Sequence, residues 1–92
     1  MKTDQPTFPP TADPAAEARL LRSVMTGSEE AFASLYDRHA GAVFAVALRT
    51  TGDRSVAEEV VQDTFLTLWN RAELFDPAAG SLRTWLGAVA RN

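Results

Sequence analysis

Residues 55–72 read SVAEEVVQDTFLTLWNRA, and their periodicity decides the fold. Projected at about 100° per residue, Ala57, Val60, Val61, Thr64, Leu68 and Ala72 fall on one arc of a helix. The opposite arc carries Glu59, Gln62, Asp63, Leu66 and Asn70, with Trp69 at its edge. Such a stripe needs a core to face, and no run of alternating polar and apolar residues offers a strand. Ser55-x-x-Glu58 has the form of a capping box, so the spacing predicts a helix from there to about Glu73.

Helical punctuation continues on both sides. Upstream, Gly52-Asp53 ends a helix that begins after Ser28, an N-cap followed by Glu29 and Glu30 where the helix dipole favours acid. Phe32, Leu35, Tyr36, His39 and Val43 make its core stripe, and Ala42–Leu48 is apolar all round, which asks for burial or a covering partner. Before it, Asp13-Pro14 opens a first helix striped by Leu20, Leu21, Val24 and Met25, and Gly27 ends it. Downstream, the loop Phe75-Asp76-Pro77-Ala78-Ala79-Gly80 leads to Ser81. That serine caps a fourth helix with a Leu82, Trp85, Leu86 and Val89 stripe. Residues 1–12, MKTDQPTFPPTA, hold three of the five prolines and read as a flexible tail. The expected architecture is all-α, a compact bundle of about four helices over 13–92.

Composition narrows the function. Ninety-two residues make one small domain, and 46% apolar with 23% charged residues is ordinary for a folded soluble chain. There is no cysteine, which removes disulfides and thiolate zinc sites, and the single His39 is too little for a histidine-based metal site. The net charge of −3 argues against affinity from a broad basic surface. His39–Leu48, free of Asp, Glu, Lys and Arg, is only ten residues, too short to span a bilayer, and residues 1–12 lack the apolar core of a secretory signal. A cytoplasmic protein without a membrane partner is expected.

Catalytic residues are not expected. Glu58 and Glu59 are adjacent and diverge on a helix, so they cannot pair as acid and base. His39, on an apolar stripe beside Asp37 and Arg38, reads as a core or boundary histidine. Phosphate loops, nucleophile elbows and metal spacings are absent, so no cofactor is expected. Leu66, ringed by Glu59, Gln62 and Asp63 with Trp69 alongside, is either a stray exposed leucine or the centre of a protein interface with a basic partner. On the fourth helix Arg83, Thr84, Gly87, Ala88 and Arg91 lie opposite the stripe, either as a solvated face or as a place for a phosphate backbone. Phe75 belongs to the core or stacks on a base.

Three segments in order carry a resemblance. They are Ala31-Phe32-x-x-Leu35-Tyr36-Asp37-Arg38, Ala57-Glu58-Glu59-Val60-Val61-Gln62-Asp63-Thr64-Phe65-Leu66-x-Leu68-Trp69, and Phe75-Asp76-x-x-x-Gly80-Ser81-Leu82-x-Thr84-Trp85-Leu86-x-x-x-Ala90-Arg91-Asn92. Together they resemble conserved region 2 of extracytoplasmic-function (ECF) sigma factors over roughly residues 17–92. The resemblance implies a role in bacterial transcription initiation. It implies that Glu59, Gln62, Asp63, Leu66 and Trp69 dock on the clamp-helix coiled coil of the RNA polymerase β′ subunit. It also implies that the loop and fourth helix read and melt the minus-ten promoter element and hold a flipped base of the non-template strand. The residues concerned would be Phe75, Asp76, Ala79, Gly80, Ser81, Arg83, Thr84, Arg91 and Asn92, with one pocket formed by Phe75 to Ser81 together with Asn92. An anti-sigma factor would compete for the docking face. Family members continue beyond the position of Asn92 with a basic stretch and a second DNA-binding domain, so a truncated region 2 with weak DNA affinity of its own is expected. The reading from another class is a helical protein-interaction module with no DNA role.

Overall fold

A computed structural model describes residues 13–92; the tail expected over residues 1–12 lies outside them. Four helices follow in order: α1 Pro14–Met25, α2 Glu29–Thr51, α3 Arg54–Arg71 and α4 Leu82–Arg91. Two single 3-10 turns, Ala72–Leu74 and Pro77–Ala79, sit between α3 and α4. Among the described residues every regular element is helical.

The helix ends follow from local chemistry. Asp13 caps α1 by accepting the N–H groups of Ala15 and Ala16, and Pro14 holds the first helical position. At the other end Gly27 takes φ +93°. Its N–H bonds Val24 O at 2.9 Å and the Ser28 N–H bonds Ser23 O at 2.9 Å, the paired bonds of a Schellman motif. Ser28 caps α2 through the Ala31 N–H at 3.0 Å. Gly52, at φ +69°, closes α2 by donating to Leu48 O at 2.8 Å.

The capping box expected at Ser55 is not the start of α3. Asp53 is the N-cap, accepting the Val56 N–H at 3.1 Å, and Ser55 lies inside the helix. The reason is the left-handed Gly52: it turns the chain so abruptly that Asp53 is already extended and positioned to cap. Glu58, released from capping, pairs instead with Arg54 at 3.5 Å. The two-residue connection makes α2 and α3 antiparallel neighbours.

α2 is the axis of the bundle, with α1, α3 and α4 all packed on it and α3 also against α4. Its buried line is Ala31, Leu35, His39, Val43 and Ala47. Leu21 and Val24 of α1, Val61, Phe65 and Leu68 of α3, and Leu82, Leu86 and Ala90 of α4 complete the core. Several stripe residues sit at the margin instead: Met25 and Tyr36 are exposed and Val60, Trp85 and Val89 half-buried. Phe65, outside the arc expected to face the core, is 3% exposed. Its ring meets Tyr36 at 4.8 Å and Phe32 at 6.2 Å between centroids, so aromatic contacts widen the buried face of α3.

Candidate functional site

Two exposed regions hold the residues singled out from sequence. The first is the outer face of α3, where Glu59, Gln62, Asp63 and Leu66 are all exposed, Leu66 at 56%. Trp69 is half-buried at the edge, its ring meeting Phe32 edge-on at 5.3 Å. The aromatic layer of Phe32, Phe65 and Trp69 fixes the rotation of α3 on α2 and thereby aims the Leu66 face outward. Neither Glu59 nor Asp63 has an ion-pair partner among the described residues, so the rim is negative. Beside it an open groove of about 460 Å³ runs between α2 and α3, from Tyr36 and Phe44 to Glu58 and Gln62. An exposed leucine within an uncompensated acidic rim is equipped to bind a protein that carries apolar and basic groups.

The second region is the loop before α4. Asp76 accepts the Ala78 N–H at 3.0 Å and turns the chain into its 3-10 element. Gly80 then takes φ +151°, a conformation that side chains rarely adopt. Ser81 caps α4, accepting the Thr84 N–H at 3.1 Å while its hydroxyl donates to Thr84 Oγ1 at 3.0 Å. These bonds place Phe75, Asp76, Ala79, Gly80, Ser81 and Thr84 around one depression of about 200 Å³. Trp85 borders the same depression, its ring 6.0 Å from that of Phe75. An aromatic surface edged by a carboxylate and hydroxyls suits a planar, hydrogen-bonding ligand.

The remaining nominated residues are not gathered there. Asn92 sits at the far end of α4, eleven residues after Ser81, which is about 16 Å along a helix. It borders a different depression with Asp63 and Thr67 of α3. A single pocket formed by the 75–81 loop and Asn92 is therefore not assembled here: the loop depression ends at Ala88, and Asn92, one turn later, lines the other depression against α3. Arg91 is exposed near Asn92. Gly87, expected on the open face, is buried, with its Cα side toward Val46 of α2.

Arg83 is turned back onto the bundle. Its Nε donates to His39 Nδ1 at 3.3 Å and its Nη2 to the Arg38 carbonyl at 2.8 Å. His39, fully buried, meets Glu17 Oε2 of α1 through Nε2 at 2.5 Å. Burial pushes the imidazole below the ordinary histidine value of 6.5, assisted by Arg83 and Arg38 and opposed by the Glu17 carboxylate. His39, in sequence a core or boundary residue, is a core one, and its partners on α1 and α4 are not visible in the spacing of its own helix. Glu17 did leave a signal, since it precedes Leu21 and Val24 by four and seven residues and so lies on their stripe.

Residues 35–92 match the family described as sigma-70 region 2. The chain belongs to that family. Named relatives are ECF RNA polymerase sigma factors. SigL of Mycobacterium tuberculosis (strain ATCC 25618 / H37Rv) is 44% identical over 78 residues, covering 85% of this chain and 38% of the relative. SigK of Mycobacterium sp. (strain KMS) is 41% identical over 73 residues, covering 79% and 38%. RpoE of Cereibacter sphaeroides is 38% identical over 74 residues, covering 79% and 41%. This region 2 domain thus spans about two fifths of the length of these relatives. Membership places it among sigma factors rather than enzymes. Among the described residues no helix is long and apolar enough to cross a membrane.

Proposed function

We propose that the domain acts in transcription initiation, in the cytoplasm of a bacterium, as the part of an ECF sigma factor that joins RNA polymerase to promoter DNA. The observation that carries this reading is the pairing of the family match with an open, acidic, leucine-centred face on α3. Glu59, Gln62, Asp63, Leu66 and Trp69 dock on the β′ clamp-helix coiled coil, the carboxylates meeting basic side chains and Leu66 an apolar contact. The same face serves an anti-sigma factor, which excludes polymerase by occupying it.

The loop depression holds one flipped base of the minus-ten non-template strand. Phe75 and Trp85 offer a stacking surface, and Asp76, Ser81 and Thr84 sit where a base edge would be read. Ala79 and Gly80 keep the entrance low. Arg91 and Asn92 meet the strand separately, at the other end of α4. The net charge of −3 makes isolated DNA binding weak, with a shallow salt slope.

The test of docking is titration of the isolated β′ coiled coil against Asp63→Arg. The variant should keep its helical circular dichroism and lose binding, because like charges across an interface cost several kcal/mol. Unchanged affinity in a folded variant overturns the docking assignment. For promoter reading, amide shifts with a single-stranded minus-ten oligonucleotide at low salt should centre on residues 75–85. Shifts spread along α3, or none at millimolar oligonucleotide, favour an interaction module without a DNA role.

A further inference from the structure

The series Glu17, His39 and Arg83 lines neither the α3 face nor the loop depression, yet it buries an ionisable ring at the meeting of three helices. The charged groups around the imidazole are Glu17 of α1, Arg38 of its own helix α2 and Arg83 of α4. Its hydrogen-bond polarity is set by one fact: a guanidinium can only donate. Arg83 Nε lies 3.3 Å from His39 Nδ1, so Nδ1 must be the acceptor and carry no proton. The ring proton then sits on Nε2 and is given to the Glu17 carboxylate. Glu17 therefore selects the tautomer, and the tautomer creates the acceptor that holds Arg83.

We propose that His39 is a positioning residue for Arg83: neutral, it latches the guanidinium against α2, and protonated at Nδ1 it releases Arg83 toward the promoter-reading side of the domain. Protonation takes one proton from solvent onto Nδ1 and replaces an N–H···N hydrogen bond by two donors facing each other, with two positive charges in contact. The Arg38 carbonyl, 2.8 Å from Nη2, keeps one contact but cannot offset that repulsion alone. Arg83 follows Ser81 and Leu82 at the start of α4, so a released side chain lies next to the loop depression, where a nucleic acid would present phosphates. At neutral pH the latch fixes the direction of this exposed cation by engaging its Nε and Nη2. Its final step, the phosphate contact, rests on the promoter reading above; the tautomer and the latch do not.

The experiment follows imidazole and guanidinium nitrogens of the folded domain by NMR as the pH is lowered from 7.5 until His39 takes up its proton or the fold is lost, and loss of the fold with Arg83 Nε–H protected and His39 still neutral overturns the release. Expected at neutral pH are a His39 proton on Nε2 and a slowly exchanging Arg83 Nε–H. Both signals should change with a common midpoint on acidification. His39→Gln supplies an amide that can donate to Glu17 and accept from Arg83 but cannot take up a proton, so Arg83 Nε–H should stay protected throughout. A His39 proton on Nδ1 at neutral pH, or an Arg83 Nε–H indifferent to the His39 transition, overturns the latch, and this wild-type readout stands even if the variant fails to fold. With single-stranded minus-ten oligonucleotide, acidification should steepen the wild-type salt slope by about 0.7, one added phosphate contact, and leave His39→Gln unchanged. An equal change in both proteins overturns the release of Arg83 to DNA. No binding at any pH overturns the promoter reading and leaves the tautomer result intact.

Discussion

The outer face of α3 and the corner where the 75–81 loop meets α4 are built in opposite ways. One helix supplies Glu59, Gln62, Asp63 and Leu66, so its 3.6-residue period alone keeps them together once α3 is packed. The corner needs four contributors: the loop, α4, the buried His39 of α2 and Glu17 of α1. A helix face keeps its geometry when one side chain changes, whereas the geometry of the corner depends on a cap, a positive-φ glycine and a buried ionisable pair. Affinity for polymerase should therefore be robust to perturbations that disturb promoter contacts.

The largest effect expected is from Leu86→Ala, which removes a side chain with no exposed surface from beneath α4. It should cost about 2–5 kcal/mol in chemical denaturation. A change within about 0.5 kcal/mol would show α4 to be an appendage on the α3 scaffold, and the two regions would then be independent. Ser81→Ala comes next. Losing the cap of α4 should cost about 1 kcal/mol and loosen the loop, seen as faster amide exchange over residues 75–85. Binding of the β′ coiled coil should stay unchanged; a parallel loss there would join the two faces into one unit.

Acid should separate the regions in the same direction. The folded state holds His39 below 6.5, so the unfolded chain takes up its proton first as pH falls. This contribution to stability is complete above about pH 6.5 and is lost as the pH drops through the folded value. Thermal melts should show the decline in wild type and a smaller one in His39→Gln. An unchanged slope in the variant would remove the buried pair from the account of the corner.

Gly87→Ala should give the smallest effect, and a favourable one. An added Cβ meets Val46 and Arg91 at 3.9 Å, ordinary contact, and alanine is the better helix former by about 0.5–1 kcal/mol. A loss of stability instead would mean that α4 and α2 pack more tightly at this point than those distances allow.

From the sequence alone came the helix count, the caps at Asp13, Ser28 and Ser81, the Leu35, His39 and Val43 stripe of α2 and the outward Leu66 face. These are local matters: each rests on a side chain's reach of three or four residues, or on one helix's period. The family resemblance over roughly residues 17–92 suggested a role for those surfaces, which no periodicity contains. Tertiary structure alone decided the rest. Phe65 is buried because rings on α2 wait for it, and Asp53 displaces Ser55 as the cap because Gly52 turns the chain first. Arg83 turns inward because two acceptors on α2 lie within its reach, the Arg38 carbonyl and the His39 ring, which itself meets Glu17 sixty-six positions before Arg83. Such partners meet only when α1, α2 and α4 converge, and the direction of a long cationic side chain is set by where its hydrogen-bond acceptors lie rather than by its place on the helical wheel.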